Sequence, residues 1–154
     1  MNRVAEAGPA TRRHLPDTDP PAVSSLCAIE VVRQERRAQT LSMTVRVRVD
    51  GSHLYLRGHF PGLPILPGVF VVETLCQAMA HGAGTGTGRW PALRSVRSLR
   101  LQAPLLDGDV LMLEIAARRH PDGGWAVTAE GSRTDGTTSA RIRADFDRGD
   151  AADA

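Results

Sequence analysis

The sequence predicts an α+β domain, an antiparallel sheet wrapped around one central helix, and three observations carry that prediction. The stretch "QTLSMTVRVRVDG" (39–51) alternates cleanly, with Leu41, Met43, Val45, Val47 and Val49 on one face and Arg46 and Arg48 on the other, as a half-buried strand does. The run "PGVFVVETLCQAMAH" (67–81) is apolar on nearly every face of a helix, and such a helix has to be enclosed. Strand-like segments separated by short turn signals follow it, and strands on both sides of one enclosed helix pack most simply as a sheet around it.

Taken in order, residues 1–22 carry prolines and charges without apolar periodicity and read as a mobile tail. "LCAIEVVRQ" is short, apolar and partly β-branched, which predicts a strand from about Leu26. "HLYLRG" (53–58) fits a short third strand. The helix begins with Pro67 at its first position, where the missing N–H costs nothing. "GAGTGTG" (82–88) follows a helix instead of preceding one and has no Lys after it, so it reads as a linker and not a phosphate loop. The rest reads as a strand meander: "LRSVRSLRLQAP", "DVLMLEIAARR", a turn at "HPDGG", "WAVTAEGSR", a turn at "TDG", and "TTSARIRADF". One domain is expected over residues 23–147, with a second polar tail over 148–154. The edges of such a sheet favour dimerisation.

Composition narrows the function. The 154 residues are 42% hydrophobic, enough for one sizeable core. All 19 basic residues are Arg, and the net charge of +2 is too small to argue for nucleic acid. Cys27 and Cys76 are too few for a disulfide framework or a zinc cluster. The other histidines, His14, His53, His81 and His120, show no metal-ligand spacing. No apolar stretch reaches membrane-spanning length and the N-terminus has no signal-peptide core, so the cytoplasm is the expected compartment.

Two polar residues stand out in "GHFPGLPILPGVFVVETLCQ" (58–77). Glu73 has Val69, Phe70, Cys76 and Gln77 as its helix neighbours, and of these only Gln77 offers a hydrogen bond. Desolvation there favours the protonated carboxyl, a proton donor near neutral pH. His59, in a Pro/Gly-rich stretch, supplies an imidazole able to take a proton. The first N–H groups of the helix, that of Gly68 included, have no intrahelical partner and can polarise a carbonyl. Together they suit removal of a proton alpha to a carbonyl with loss of water at the beta carbon, chemistry that needs no metal or cofactor. The residues alone leave other readings open: His59 as a structural group, Glu73 as a satisfied core group or a dimer contact.

The same stretch resembles the signature of the beta-hydroxyacyl-[acyl carrier protein] dehydratases of fatty acid synthesis. The matching elements are His59-Phe60-Pro61-Gly62, Pro64-Ile65-Leu66-Pro67-Gly68, Glu73 fourteen residues after the His, and Gln77. Weaker similarity runs through "SVRSLRLQAPLLDGDVLMLEI". The resemblance implies a hotdog fold and an obligate dimer in which the His of one subunit and the acid of the other share a tunnel. It implies that His59 deprotonates carbon 2 of a (3R)-hydroxyacyl thioester and that Glu73 protonates the departing 3-hydroxyl. The Gly68 N–H would hold the thioester carbonyl, the Ile65 carbonyl would orient His59, and Gln77 would sit in the substrate site. The substrate would arrive on the phosphopantetheine of an acyl carrier protein, for which Arg97 and Arg100 are candidate contacts. Glu73 together with Pro61 matches the plain dehydratase more than the dehydratase/isomerase. The family's N-terminal segment has no counterpart in "RHLPDTDPPAVSSL", and its gating Tyr is absent from the loop after the central helix, where Trp90 is the bulky residue. These departures leave a polyketide or polyene pathway as open as fatty acid synthesis. They also leave open a non-catalytic or half-site subunit of a hotdog heterodimer, and a hotdog thioesterase as a third option.

Overall fold

The computed structural model describes residues 29–84 and 89–149. The expected tail over 1–22, the start of the first strand at Leu26, most of the "GAGTGTG" linker and residues 150–154 lie outside the described residues. The elements are β1 (Glu30–Arg36), β2 (Thr40–Arg48), α1 (Leu54–His59), α2 (Gly68–Ala83), β3 (Leu93–Leu101), β4 (Val110–Arg119), β5 (Trp125–Ser132) and β6 (Thr138–Phe146). The strands form one antiparallel sheet in the order β1-β2-β4-β5-β6-β3.

Period-2 patterning decides which way each strand faces. Leu41, Met43, Val45 and Val47 of β2 pair in register with Ala117, Ile115, Leu113 and Leu111 of β4, and all eight are buried. Val127 and Ala129 of β5 and Ala140, Ile142, Ala144 and Phe146 of β6 continue the inner face. Against it lies α2, with Val71, Leu75, Ala78, Met79 and Ala83 turned inward at helical spacing. The helix approaches β2 closely because residue 82 is Gly: a Cβ there would fall on Met43 Sδ and 3.0 Å from Leu41 Cδ2. Its C-terminal carbonyls, which lack intrahelical partners, are met from β1, where Arg36 Nη1 donates to Gly82 O (3.3 Å) and Gly84 O (3.1 Å).

Three expectations change. "HLYLRG" is not a strand: its residues fall within and just before α1. Asp50 builds the turn ahead of it, accepting from the Ser52 N–H at 2.9 Å, and the Gly51 N–H donates to Asp107 Oδ1 at 2.7 Å. With no strand among the described residues alongside to pair with, the segment satisfies its own backbone, turning Leu56 inward and leaving Leu54 and Tyr55 outside. Pro67 is the N-cap of α2 and not its first turn, and the helix runs two residues past His81. The last strands are not a simple meander: β3 pairs with β6 at one edge of the sheet while β4 returns to lie beside β2.

The sheet does not cover the whole helix. Val69 on α2 is 66% exposed, and Val96, Leu99 and Leu101 on edge strand β3 are exposed although they pair with inward-facing Ala144, Ile142 and Ala140. No helix among the described residues is long and apolar enough to cross a membrane.

Replacing Gly82 by Val pits a small gain in helix propensity against overpacking on a buried Met and Leu, and overpacking dominates. Gly82→Val is expected to lower unfolding stability by about 2 kcal/mol, measured by urea denaturation.

Candidate active site

His59 is the last residue of α1, not a loop residue, and is exposed. Its ring meets Phe60 edge to face, with centroids 4.5 Å apart. Because α1 is a helix, Tyr55, four residues earlier, lies on the His59 side of it. Tyr55 is 68% exposed and meets Phe70 of α2 edge to face. Its place beside the site was not readable while the segment passed for a strand; the i, i+4 spacing to His59 was the available signal.

The chain then turns at Gly62, whose φ of 77° favours Gly, with the Leu63 N–H donating to Phe60 O at 3.0 Å. Ile65 forms a bridge with Leu106, and the Leu66 N–H donates to Leu105 O at 2.8 Å. These bonds tie the loop to the segment after β3. Among the described residues, no hydrogen bond joins the His59 ring to the Ile65 carbonyl. Gly68 opens α2, and a Cβ on it would sit 2.6 Å from Leu101 Cδ1. Only Gly fits without moving Leu101, which packs directly on the backbone of the helix start.

Glu73 is half-buried on α2, and Gln77 Nε2 donates to its Oε1 at 3.3 Å. Gln77 Oε1 is buried without a partner. Neighbouring Cys76 has its thiol pKa pushed up by burial and then by the Glu73 charge, which suits an inert thiol and not a nucleophile. The structure therefore brings Glu73 and Gln77 together, and sets Gly68, Ile65 and Phe60 in one loop-to-helix segment. No hydrogen bond or ion pair joins His59 to Glu73 within a single chain. The described residues contain no His/Cys/Asp/Glu cluster able to hold a metal ion.

The two arginines differ from one another. Arg97 is committed to its own fold, hydrogen-bonding Asp145 on β6. Asp145 is 8% exposed and also accepts from Ser95 Oγ at 3.0 Å, with His120 Nε2 at 3.5 Å. Arg100 pairs in register with Arg141, whose guanidinium is bound to Glu130 at 2.8 Å. Two like charges directly opposite are unfavourable, and Arg33 and Arg143 bring the cations in the same depression on the outer face of the sheet to four, beside Glu114 and Glu130. That depression, about 970 Å³, contains neither His59 nor Glu73. A smaller cavity of about 230 Å³ adjoins the site, with Phe60, Ile65 and Leu101 on its walls.

A family model described as ApeI-like, ApeI dehydratase, matches residues 33–138. The chain belongs to this dehydratase family. Its curated relatives include the 3-hydroxyacyl-[acyl-carrier-protein] dehydratase FabZ of Myxococcus xanthus, 38% identical over 100 residues, 59% of this chain and 65% of that protein. FabZ of Geobacter metallireducens is 34% identical over 98 residues, again 65% of its length. The chain thus spans slightly under two thirds of these relatives. Among solved structures, the dehydratase heterocomplex ApeI:P from Xenorhabdus doucetiae aligns with a TM-score of 0.55 at 22% identity, covering 79% of this chain and 99% of that one. The E. coli PaaI protein from the phenylacetic acid degradation operon aligns with a TM-score of 0.62 at 17% identity, covering 78% and 82%. At such identities these likenesses speak for the fold, and the fold is the hotdog.

The Asp145 contacts give a pH signature. Its pKa is held below the ordinary carboxylate value, chiefly by the Arg97 hydrogen bond and then by those of Ser95 and His120, against some desolvation. A carboxyl with a lowered folded pKa stabilises the fold above its unfolded pKa of about 3.9, and loses that contribution as pH falls through the folded value. Asp145→Asn is expected to lower Tm at pH 7 and to have little effect at pH 2, read by thermal unfolding across pH.

Proposed function

We propose that this protein dehydrates a (3R)-hydroxyacyl-[acyl carrier protein] to the trans-2-enoyl form, as a dimer in which His59 of one copy works with Glu73 of the other. One observation carries the reading: Glu73 sits on the part of an apolar helix that its own sheet leaves half-covered, and His59 is exposed with no acid among the described residues bonded to it. Two half-sites of this kind complete each other across a two-fold interface. The apolar residues left outside, among them Leu63, Val69, Leu99 and Leu101, supply surface for such an interface, and the free edge of β3 supplies backbone hydrogen bonds.

In the reaction, the His59 imidazole takes the proton from carbon 2. The electrons form the carbon 2–carbon 3 double bond as the carbon–oxygen bond at carbon 3 breaks. Glu73 gives its proton to the departing hydroxyl, which leaves as water. The Gly68 N–H holds the thioester oxygen as negative charge builds on it. Gln77 orients the Glu73 carboxyl. The phosphopantetheine belongs to the substrate, and the steps call on no other cofactor. The carrier docks on the cationic outer face, where Arg100 is the freer of the two arginines because Arg97 is engaged by Asp145. This reading places the reaction in the cytoplasm, in a fatty acid or polyketide pathway, and over one folded domain at residues 23–147.

A second reading, a half-site subunit within a heterodimer, is favoured by the likeness to a chain titled as part of a dehydratase heterocomplex. Co-purification with a second hotdog chain, and activity that survives His59→Ala in that complex, would distinguish it.

Glu73→Gln and His59→Ala are each expected to lose about 10³-fold in kcat, followed as enoyl product formed from a 3-hydroxyacyl carrier protein. Unfolding and refolding the two variants together is expected to restore about one quarter of wild-type activity, since half the dimers carry one intact site. If both variants refold as dimers and the mixture stays inactive, the shared site is wrong. Arg100→Glu is expected to raise KM about tenfold for the carrier-bound substrate at low salt and to leave the pantetheine thioester unaffected; equal effects on both would remove Arg100 from the docking surface.

A further inference from the structure

α1 carries His59, and little in its own sequence holds it in place. It is six residues long, and its N-cap, His53, makes no side-chain capping bond. A helix that short is not stable by itself. The turn before it is pinned, with the Gly51 N–H on Asp107 Oδ1 at 2.7 Å and the Ser52 N–H on Asp50 Oδ1 at 2.9 Å. His59 lies at the opposite end. Its ring meets Phe60, and among the described residues no hydrogen bond fixes it. The orientation of the α1 backbone therefore sets where the imidazole stands.

Two side chains of α1 bear on that orientation. Leu56 is buried and anchors one face. Tyr55 reaches α2, where its ring meets Phe70 edge to face with centroids 6.4 Å apart. Phe70 belongs to the first turn of α2, just beyond Gly68, and its N–H donates to Pro67 O at 3.0 Å. Tyr55 and His59 are four residues apart and share a side of α1. The ring contact thus runs from the side of α1 that carries the imidazole to the helix start that carries the Gly68 N–H. Tyr55 stays largely exposed even so, and a ring that buries little area contributes little to stability. What the contact does supply is a defined geometry between two elements of the site.

We propose that Tyr55 is a positioning residue: braced on Phe70, its ring fixes α1 against the start of α2 and so sets the spacing between the His59 imidazole and the Gly68 N–H. Edge-to-face rings prefer a particular separation and angle, which contacts between flexible alkyl chains do not impose. A reacting group misplaced by about 1 Å can lose roughly 10²-fold in rate. The contact is made by the ring and not by the hydroxyl, so Phe at this position serves as well as Tyr.

The spacing bears on turnover only through the dehydratase reading, so geometry and turnover are measured separately. Geometry is read by NMR of the histidine rings of the full-length protein, with the His59 signal identified by its loss in His59→Ala. That signal is expected to stay in place in Tyr55→Phe and to shift in both Tyr55→Ala and Phe70→Leu. Phe70→Leu keeps an apolar side chain on α2 and leaves Tyr55 present, so a shift there travels through the brace. In turnover of a 3-hydroxyacyl carrier protein, Tyr55→Ala is expected to lose about 30-fold in kcat with KM within about twofold. Tyr55→Phe is expected to match the wild type, and the double variant Tyr55→Ala/Phe70→Leu to be no slower than Tyr55→Ala. The proposal is overturned if the His59 signal is the same in all three single variants, if Tyr55→Phe loses as much as Tyr55→Ala, or if the two losses multiply in the double variant. A wild type without turnover removes the dehydratase reading and leaves the NMR comparison to decide the positioning.

Discussion

The seating of α2 on β2 sets the geometry on which the remaining structure depends. Gly82 lets the helix backbone approach Met43 and Leu41, and Arg36 holds the C-terminal carbonyls of the helix from β1. Contact is thus tightest at one end and on one side of the sheet. The helix is apolar nearly all round, so a single sheet placed off-centre leaves part of it uncovered. Burial of apolar area is worth roughly 25 cal/mol per Å², and the uncovered part of α2, together with α1 and β3, keeps that driving force in reserve for association. The two polar groups proposed for the chemistry lie at this unfinished boundary, Glu73 half-buried and His59 exposed.

The same arrangement explains why Glu73 and His59 form no hydrogen bond or ion pair with each other within one chain. α1 turns His59 outward at its C-terminal end, and the Phe60–Leu66 loop is tied to Leu105 and Leu106, not to the middle of α2. Glu73 has only Gln77 for company. On the proposed reading, association would assemble the site as well as stabilise the fold.

The polar groups elsewhere sort by how fully they are answered. Asp145 is nearly buried and has Arg97, Ser95 and His120 around it, which makes it an anchor between β3 and β6. Arg100 faces Arg141 with no acid of its own among the described residues, a mismatch that an acidic partner would relieve. Ser139 Oγ, packed among Leu111, Leu113 and Gly131, and Gln77 Oε1, beside Glu73, are buried without partners among the described residues.

The sequence by itself determined the strand faces and the central helix, and it singled out Glu73 within that helix as a candidate. Alternation at Leu41–Val49, the all-round apolar run after Pro67 and the single Glu73 within it are local patterns, and local patterns survive being read one residue at a time. Tertiary structure alone decided the rest. "HLYLRG" alternates as a strand does, yet folds as α1, with no strand among the described residues beside it to accept its hydrogen bonds. β3 pairs with distant β6 and not with β4, a choice among edges that periodicity does not encode. Arg97 and Arg100 look alike in "SVRSLRL", and only the register with Asp145 and Arg141 separates an anchor from a free cation. Ser139 is one polar letter in "TTSARIRADF"; that its hydroxyl ends among Leu111, Leu113 and Gly131 with nothing to bond is a fact of packing, set by residues far away in the chain.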